Sequence, residues 1–205
     1  MSGPEQTIFI IDDDHSIRDA LSLLLDSEGL TSQVFSSGQE FLDQHTEHDR
    51  GCVLLDMGLP GVTGLDIQNA LNARHCFLPI IVITGQGDIP MAVESMRRGA
   101  LDFIRKPVRE TELLERIDEA LAMEAQRHEK QLAQRELRAN IDSLTAREFE
   151  VFLGIADGRT NKVVAIDLGI SERTVEVHRA NLMKKLSART LADLVTAKHL
   201  LDGAK

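Results

Sequence analysis

The chain of 205 residues is 42% hydrophobic and 27% charged, with 14 Gly and 5 Pro; these figures exclude disordered, collagen-like and low-complexity polymers and allow one large or two small domains. The net charge of −10 is unevenly spread, since residues 1–125 carry 9 Lys and Arg against 22 Asp and Glu, residues 126–140 carry 4 against 2, and residues 141–205 carry 10 against 9. The first part would repel phosphate, so a nucleic-acid partner belongs, if anywhere, to Gly158–Lys198, where eight basic residues stand among four acidic ones.

Short apolar runs at Thr7–Ile11, Gln33–Phe35, Cys52–Leu55, Pro79–Thr84 and Leu101–Ile104 each read as a strand. Between them lie segments with helical spacing: Ile17, Ala20, Leu21, Leu24 and Leu25, then Leu65, Ile67 and Leu71, then Met91, Val93 and Met96. TIFII, CVLLD and IIVIT are continuously apolar, as strands buried on both faces are, so a parallel sheet covered by helices is expected. Five strands and five helices are predicted to end near Ala125. From Glu124 to Asn140 there is no Gly or Pro, and Leu132 and Leu137 are the only large apolar residues. This reads as a connecting helix continuing from Glu110, with no sustained heptad. From Leu144 the period is helical throughout. Thr145–Glu148 forms a capping box, Gly158 marks a turn, Gly169 stops one helix and Ser171 caps the next, giving four short helices. The predicted limits are therefore a first domain over 1–125, a helical linker over 126–141 and a helical domain over 142–205.

Several function classes fall away on composition. Trp and Tyr are absent and only 7 Phe are present, which argues against a single-strand binder that stacks bases on aromatic rings. Cys52 and Cys76 lack CxxC spacing, and Met1–Gln6 is no secretory prefix, so a reducing cytoplasm is expected. No apolar run reaches the ~18 residues that span a bilayer.

In a parallel sheet the loops after the carboxyl ends of the strands share one edge, where ligands bind near a reversal of strand order. Asp12, Asp13, Asp56, Thr84 and Lys106 all lie at or just after such ends, so five polar groups should converge. Carboxylates held about 4 Å apart repel by about 4 kcal/mol per pair at an effective dielectric of about 20, which calls for a compensating cation or proton. An oxygen-rich set without His favours Mg²⁺ over Zn²⁺. Mg²⁺ keeps positions open for phosphate oxygens, and a Lys opposite adds a second positive charge, the equipment of phosphoryl transfer with a carboxylate as acceptor.

At these residues the sequence resembles the receiver domain of two-component response regulators, over residues 5–125. IFII followed by Asp12-Asp13, LLDMGLPGVTG around Asp56, IIVITGQGD around Thr84 and LDFIRKP around Lys106 follow the family pattern in order and spacing. The resemblance implies a CheY-like, doubly wound α/β fold with a five-stranded parallel sheet. It implies that Asp56 accepts a phosphoryl group from the phosphohistidine of a sensor histidine kinase. It further implies that Asp13, Asp56 and the Met57 carbonyl ligate Mg²⁺ directly, while Asp12 acts mainly through water. Thr84 and Lys106 would hold the phosphoryl oxygens, Phe103 would turn inward when Thr84 moves, and Lys106-Pro107 would be a cis peptide. Gly58 departs from the commoner pattern of a side chain two residues beyond the acceptor, so poor shielding and rapid loss of the phosphoryl group are expected. Asp14 reads as a bystander.

Asn161–Leu168, Gly169-Ile170 and Ser171–Leu186 read as helix, turn, helix, the arrangement that lays its second helix in the major groove. On a wheel of about 100° per residue Val175, Arg179, Leu182 and Leu186 share one side, with His178 at its flank. Arg173, Val177, Ala180 and Lys184 share the other, with Glu176 and Asn181 at its edges. Cations suit phosphates, the amide suits adenine, and Val177 and Ala180 suit thymine methyls. Residues 143–200 resemble the LuxR/NarL-type helix-turn-helix domain, and TVEVHRAN behind a receiver looks most like the FixJ branch of response regulators. The resemblance implies a transcription regulator, activated by phosphorylation and dimerisation through the face of Ile89–Ala100 and the last strand, with promoter DNA and RNA polymerase as partners. Thr160, Lys162, Arg173, Thr174, Glu176, Val177, Arg179, Ala180, Asn181 and Lys184 are the candidate DNA contacts, Arg179 at a phosphate rather than a base. The chain would be no enzyme beyond accepting and losing its phosphoryl group.

Two other readings are open. A haloacid-dehalogenase-type phosphatase also places Asp residues after its first strand, then Thr and Lys, but His15-Ser16 follows here where that family has Gly-Thr, no late acidic pair follows Lys106, and Asp56 is left unexplained. A receiver acting only by protein contact would leave the helix-turn-helix silent.

Overall fold

The computed structural model of the chain describes residues 6–74, 78–85 and 89–202; Cys76 and residues 86–88 of the IIVITGQGD motif lie outside them. The chain divides into two compact units, Met1–Arg127 and His128–Lys205. In the first, β1 (Thr7–Ile11), β2 (Ser32–Phe35), β3 (Gly51–Asp56), β4 (Ile80–Thr84) and β5 (Asp102–Arg105) alternate with α1 (His15–Ser27), α2 (Gly38–Gln44), α3 (Gly64–Ala73), α4 (Ile89–Arg97) and the start of α5 (Glu110–Asp142). All the strands pair in parallel, in the order β2-β1-β3-β4-β5. Side chains alternate across the sheet. Phe9, Ile11, Val53, Leu55 and Val82 enter one core with Phe41, Ile67 and Leu71. Ile8, Ile10, Cys52, Leu54, Ile81, Ile83 and Ile104 enter the other with Leu21, Leu25, Leu113, Ile117 and Ala120.

Local chemistry starts the helices. Asp14 caps α1 by accepting the Ser16 N–H, Ser37 caps α2, and Thr63 and Asp66 form a capping box on α3. The apolar spacing of α4 divides: Met91 packs against the first core, whereas Val93 and Met96 are exposed.

The second unit is helical. After the last turns of α5 come α6 (Ala146–Ala156), α7 (Asn161–Leu168), α8 (Glu172–Lys185) and α9 (Leu191–Asp202). Thr145 and Glu148 make the expected capping box, Thr160 caps α7, Gly169 ends α7 in the left-handed conformation and Ser171 caps α8. The core gathers Ile141, Val151, Phe152, Ile155, Val164, Val175, Leu182, Leu186 and Leu194.

Candidate metal centre and nucleic-acid interface

Strand register assembles the acidic site. The chain leaves β1 toward β2 on one side and resumes at β3 on the other, so the carboxyl ends of β1 and β3 flank the reversal where ligands bind in such sheets. Ile11 lies opposite Leu55, Asp56 opposite Ile83 and Thr84 opposite Arg105. Asp12, Asp56, Thr84 and Lys106 consequently end four neighbouring strands in a row. Asp12, Asp56 and Thr84 are buried, at 2%, 6% and 2% exposure, and Asp13 is exposed.

One oxygen each from Asp12, Asp13 and Asp56 lies within 4.8 Å of the others. Lys106 Nζ donates to Asp12 Oδ2 at 2.8 Å and stands 2.9 Å from Asp56 Oδ1. The other oxygens are also held: Asp12 Oδ1 accepts the Asp14 N–H at 2.9 Å, and Asp56 Oδ2 accepts the Gly58 N–H at 3.0 Å. Burial pushes the Asp56 carboxyl above the usual carboxylate range; hydrogen bonding to Lys106 and its charge oppose that, and the Asp12 charge adds to it. For Lys106, burial alone would favour the neutral amine, but hydrogen bonds to Asp12 and Asp56 outweigh it and hold the ammonium above the ordinary lysine value. Three carboxylates against one ammonium leave the pocket short of positive charge, and its donors are all hard oxygens, a set that fits Mg²⁺.

The start of α3 packs closely behind the acceptor: a Cβ on Gly64 would lie 2.7 Å from Met57 Sδ and 3.1 Å from the Asp56 carbonyl oxygen, so a side chain there would press on the backbone that carries Asp56. Met57 follows Asp56 with its N–H on the Ile83 carbonyl, and the Lys106-Pro107 peptide is cis. Thr84 donates its hydroxyl to the Gly85 carbonyl at 3.4 Å. Phe103 pairs in register with Val82, two residues before Thr84, and is 42% exposed.

In the second unit Val175, Leu182 and Leu186 are buried, whereas Arg173, Glu176, Val177, Ala180, Asn181 and Lys184 are exposed. Val177 is 55% exposed, an aliphatic side chain among polar neighbours on the outer face of α8. Arg179 is half-buried and donates to Asn161 Oδ1 at 3.1 Å, tying α8 to α7. Thr174 shares a 2.7 Å hydrogen bond with Ser171, Thr160 accepts the Val163 N–H as a cap, and Lys162 is exposed. His178 is half-buried.

Other polar contacts have no signal in the sequence. Lys185 Nζ donates to Glu148 Oε2 at 2.7 Å and to the Ser143 carbonyl at 3.1 Å, bracing the end of α8 against the start of α6. Asp14, a bystander to the site by spacing, is the cap of α1, a role that Asp directly before a helix does signal locally, and it donates its N–H to Asp12.

These two sites define the class. Residues 8–118 match the response regulator receiver domain, and residues 142–197 match the bacterial regulatory proteins of the luxR family. The chain belongs to the response regulators that join a receiver to a LuxR-type DNA-binding domain, and is a transcription regulator of a two-component system. Among its relatives it is 41% identical over 188 residues to the transcriptional regulatory protein FixJ of Azorhizobium caulinodans, covering 92% of this chain and 89% of that one. It is 43% identical over 195 residues to the response regulator protein TodT of Pseudomonas putida, covering 95% and 86%. The solved structure of the response regulator StyR superposes with a TM-score of 0.84 at 41% identity, covering 97% of this chain and 99% of that one. Among the described residues no helix is long and apolar enough to cross a membrane.

Proposed function

We propose that Asp56 is the phosphoacceptor, and that Asp12, Asp13, Asp56 and the Met57 carbonyl hold Mg²⁺ beside it, Asp12 through water. The observation that carries this reading is the position of Lys106, whose ammonium bridges Asp12 and Asp56 at the carboxyl edge of the sheet. Asp56 Oδ attacks phosphorus, the bond from phosphorus to the kinase imidazole nitrogen breaks, and that nitrogen keeps the electron pair. Bound Mg²⁺ supplies charge neutralisation for the transferring oxygens. Lys106 moves its ammonium from carboxylate to phosphoryl oxygen, and the Thr84 hydroxyl, now on the Gly85 carbonyl, turns to the same group. Phosphorylation replaces the single negative charge of the carboxylate by about −2 on a bulkier phosphoryl group, a net gain of about −1. Once Thr84 turns, Phe103 fills the space behind it. With Phe103 turned inward, exposed Val93 and Met96 then repack with the last strand as the face through which two copies dimerise. Two joined helix-turn-helix units reach two half-sites, the second contact being intramolecular. On each, Arg173, Lys184, Arg179, Lys162 and Thr160 take phosphates, Asn181 an adenine edge, Val177 and Ala180 thymine methyls, with Thr174 and Glu176 at the groove wall. RNA polymerase is the recipient of the bound dimer, and the cytoplasm is where all of these partners meet.

Mass spectrometry after treatment with a small acyl phosphate and Mg²⁺ tests this: one phosphoryl group is expected on the Asp56 peptide, with a doubled mass in size exclusion and tighter promoter binding. Phosphate on Asp12, or no change in mass or promoter affinity, would sink the reading.

A further inference from the structure

Asp12 is gripped at four atoms. Its N–H donates to the Phe35 carbonyl at 3.3 Å, Oδ1 accepts from the Asp14 N–H, Oδ2 accepts from Lys106, and its carbonyl oxygen accepts Arg18 Nη1 at 2.7 Å. The last of these is a charge-assisted bond from the second turn of α1 back to the loop that precedes the helix. The Asp12 carbonyl and the Asp13 N–H belong to one rigid peptide plane. Pinning its oxygen sets the rotation of that plane, and with it where Asp13 leaves the chain. Asp13 is exposed, so no surrounding core does this for it.

We propose that Arg18 is a positioning residue of the metal centre, holding the Asp12-Asp13 peptide in the orientation that presents both carboxylates to Mg²⁺. The proposal rests on the reading of Asp12, Asp13 and Asp56 as the Mg²⁺ site. Two effects of Arg18 oppose each other there. As a nearby positive charge it repels Mg²⁺, so its removal would tighten binding. As a brace on the backbone of a ligand pair it favours Mg²⁺, so its removal weakens binding, and partners of metal ligands are commonly worth about 10-fold or more in affinity. The sign of the change separates the two.

The test uses the full chain with Arg18→Met and Arg18→Lys, measuring Mg²⁺ affinity by calorimetry and by the rise of melting temperature with Mg²⁺, then the Mg²⁺ concentration for half-maximal phosphorylation by an acyl phosphate. The Met variant is expected to bind Mg²⁺ about 5- to 10-fold more weakly and to need correspondingly more Mg²⁺, with the rate at saturating Mg²⁺ unchanged. The Lys variant, which keeps a charged donor, recovers part of the affinity. Unchanged or tighter binding in the Met variant overturns the proposal, as does a rate loss that saturating Mg²⁺ leaves in place. Should the Met variant melt early without Mg²⁺, Arg18→Gln is read by the same criteria. A wild-type protein indifferent to Mg²⁺ overturns the metal reading itself, and this inference with it.

Discussion

At the carboxyl edge of the sheet Asp12 and Asp56 are buried and both touch Lys106; on α8 Arg173, Asn181 and Lys184 are exposed. Lys106 contacts two carboxylates that are each further bonded to backbone, so the state of any member is felt by the rest. Arg173, Asn181 and Lys184 share an exposed face of α8, where on the proposed function they would meet different parts of a duplex. On the proposed function the first arrangement would work as a switch governed by one group, and the second as a reader whose affinity is the sum of many small terms.

The largest expected effect therefore lies at Asp56. Asp56→Asn is expected to abolish phosphorylation, and with it the phosphorylation-dependent rise in promoter affinity, while the protein stays folded. Because burial raises the Asp56 pKa, the folded state holds this proton more tightly than the unfolded chain does. The resulting stabilisation is present below the unfolded value and is lost as pH rises through the folded one. In Mg²⁺-free buffer the Asn variant should accordingly melt higher than wild type at neutral pH. That advantage should shrink as the medium is acidified. Calorimetric melts across pH check both; a variant that melts lower at pH 7 would show that the Lys106 pairing, not burial, dominates.

On α8 the expected losses are partial. Asn181→Ala should cost about 1 to 3 kcal/mol at one base position and relax specificity there. Lys184→Ala should weaken binding to all sequences alike and reduce the slope of log affinity against log salt by about 1. Titration of promoter and scrambled duplexes at several salt concentrations separates them. Either substitution abolishing binding outright would place the second site with the first kind.

The same contrast governs what could be read from the sequence. Asp12, Asp56, Thr84 and Lys106 were legible because a parallel sheet brings all carboxyl ends to one edge, and the observed register does align them. Thr145, Glu148 and Ser171 were legible because capping is local in sequence. The inward side of α8 followed from helical period, as buried Val175, Leu182 and Leu186 show. Contacts between distant side chains carry no such signal. Gln68 and Ser95 exchange buried hydrogen bonds at 2.9 Å between α3 and α4, and Gln6, Arg50 and Glu124 form an ion-paired cluster. Their partners lie 27 to 118 residues apart, beyond any period. Period also left the outer residues of α4 undecided: Met91, Val93 and Met96 share helical spacing, yet the last two meet solvent. An apolar residue kept for a partner outside the chain looks, in sequence, like one kept for the core.

A smaller effect probes how well the switch is shielded. A Cβ at position 58 would lie 3.2 Å from Asp56 Oδ2, so a side chain there crowds the path of water to an acyl phosphate. Gly58→Val should lengthen the life of phosphorylated Asp56 about fivefold, equivalent to about 1 kcal/mol of barrier, as followed by phosphate release. A wild-type lifetime of many hours, or no lengthening in the variant, would show that the open Gly58 position does not set the rate.

The smallest effect belongs to the second unit and leaves the first untouched. Ser187, directly after the cap of α8, has φ 51, a left-handed conformation that costs an L-residue about 1 kcal/mol or more and suits glycine at the residue after a helix. Its N–H and that of Ala188 bond back to the Lys184 and Met183 carbonyls, so the conformation is needed to close the helix rather than incidental. Ser187→Gly relieves the strain but gives the unfolded chain more freedom, so the net gain should be about 0.5 to 1 kcal/mol. It should appear as a rise of a few degrees in the melting of the helical unit, with Mg²⁺ affinity and phosphorylation unaltered. Because the reader works by summed contacts on a formed α8, promoter affinity at 25 °C should barely move; a large gain would mean that α8 is incompletely formed before it meets DNA.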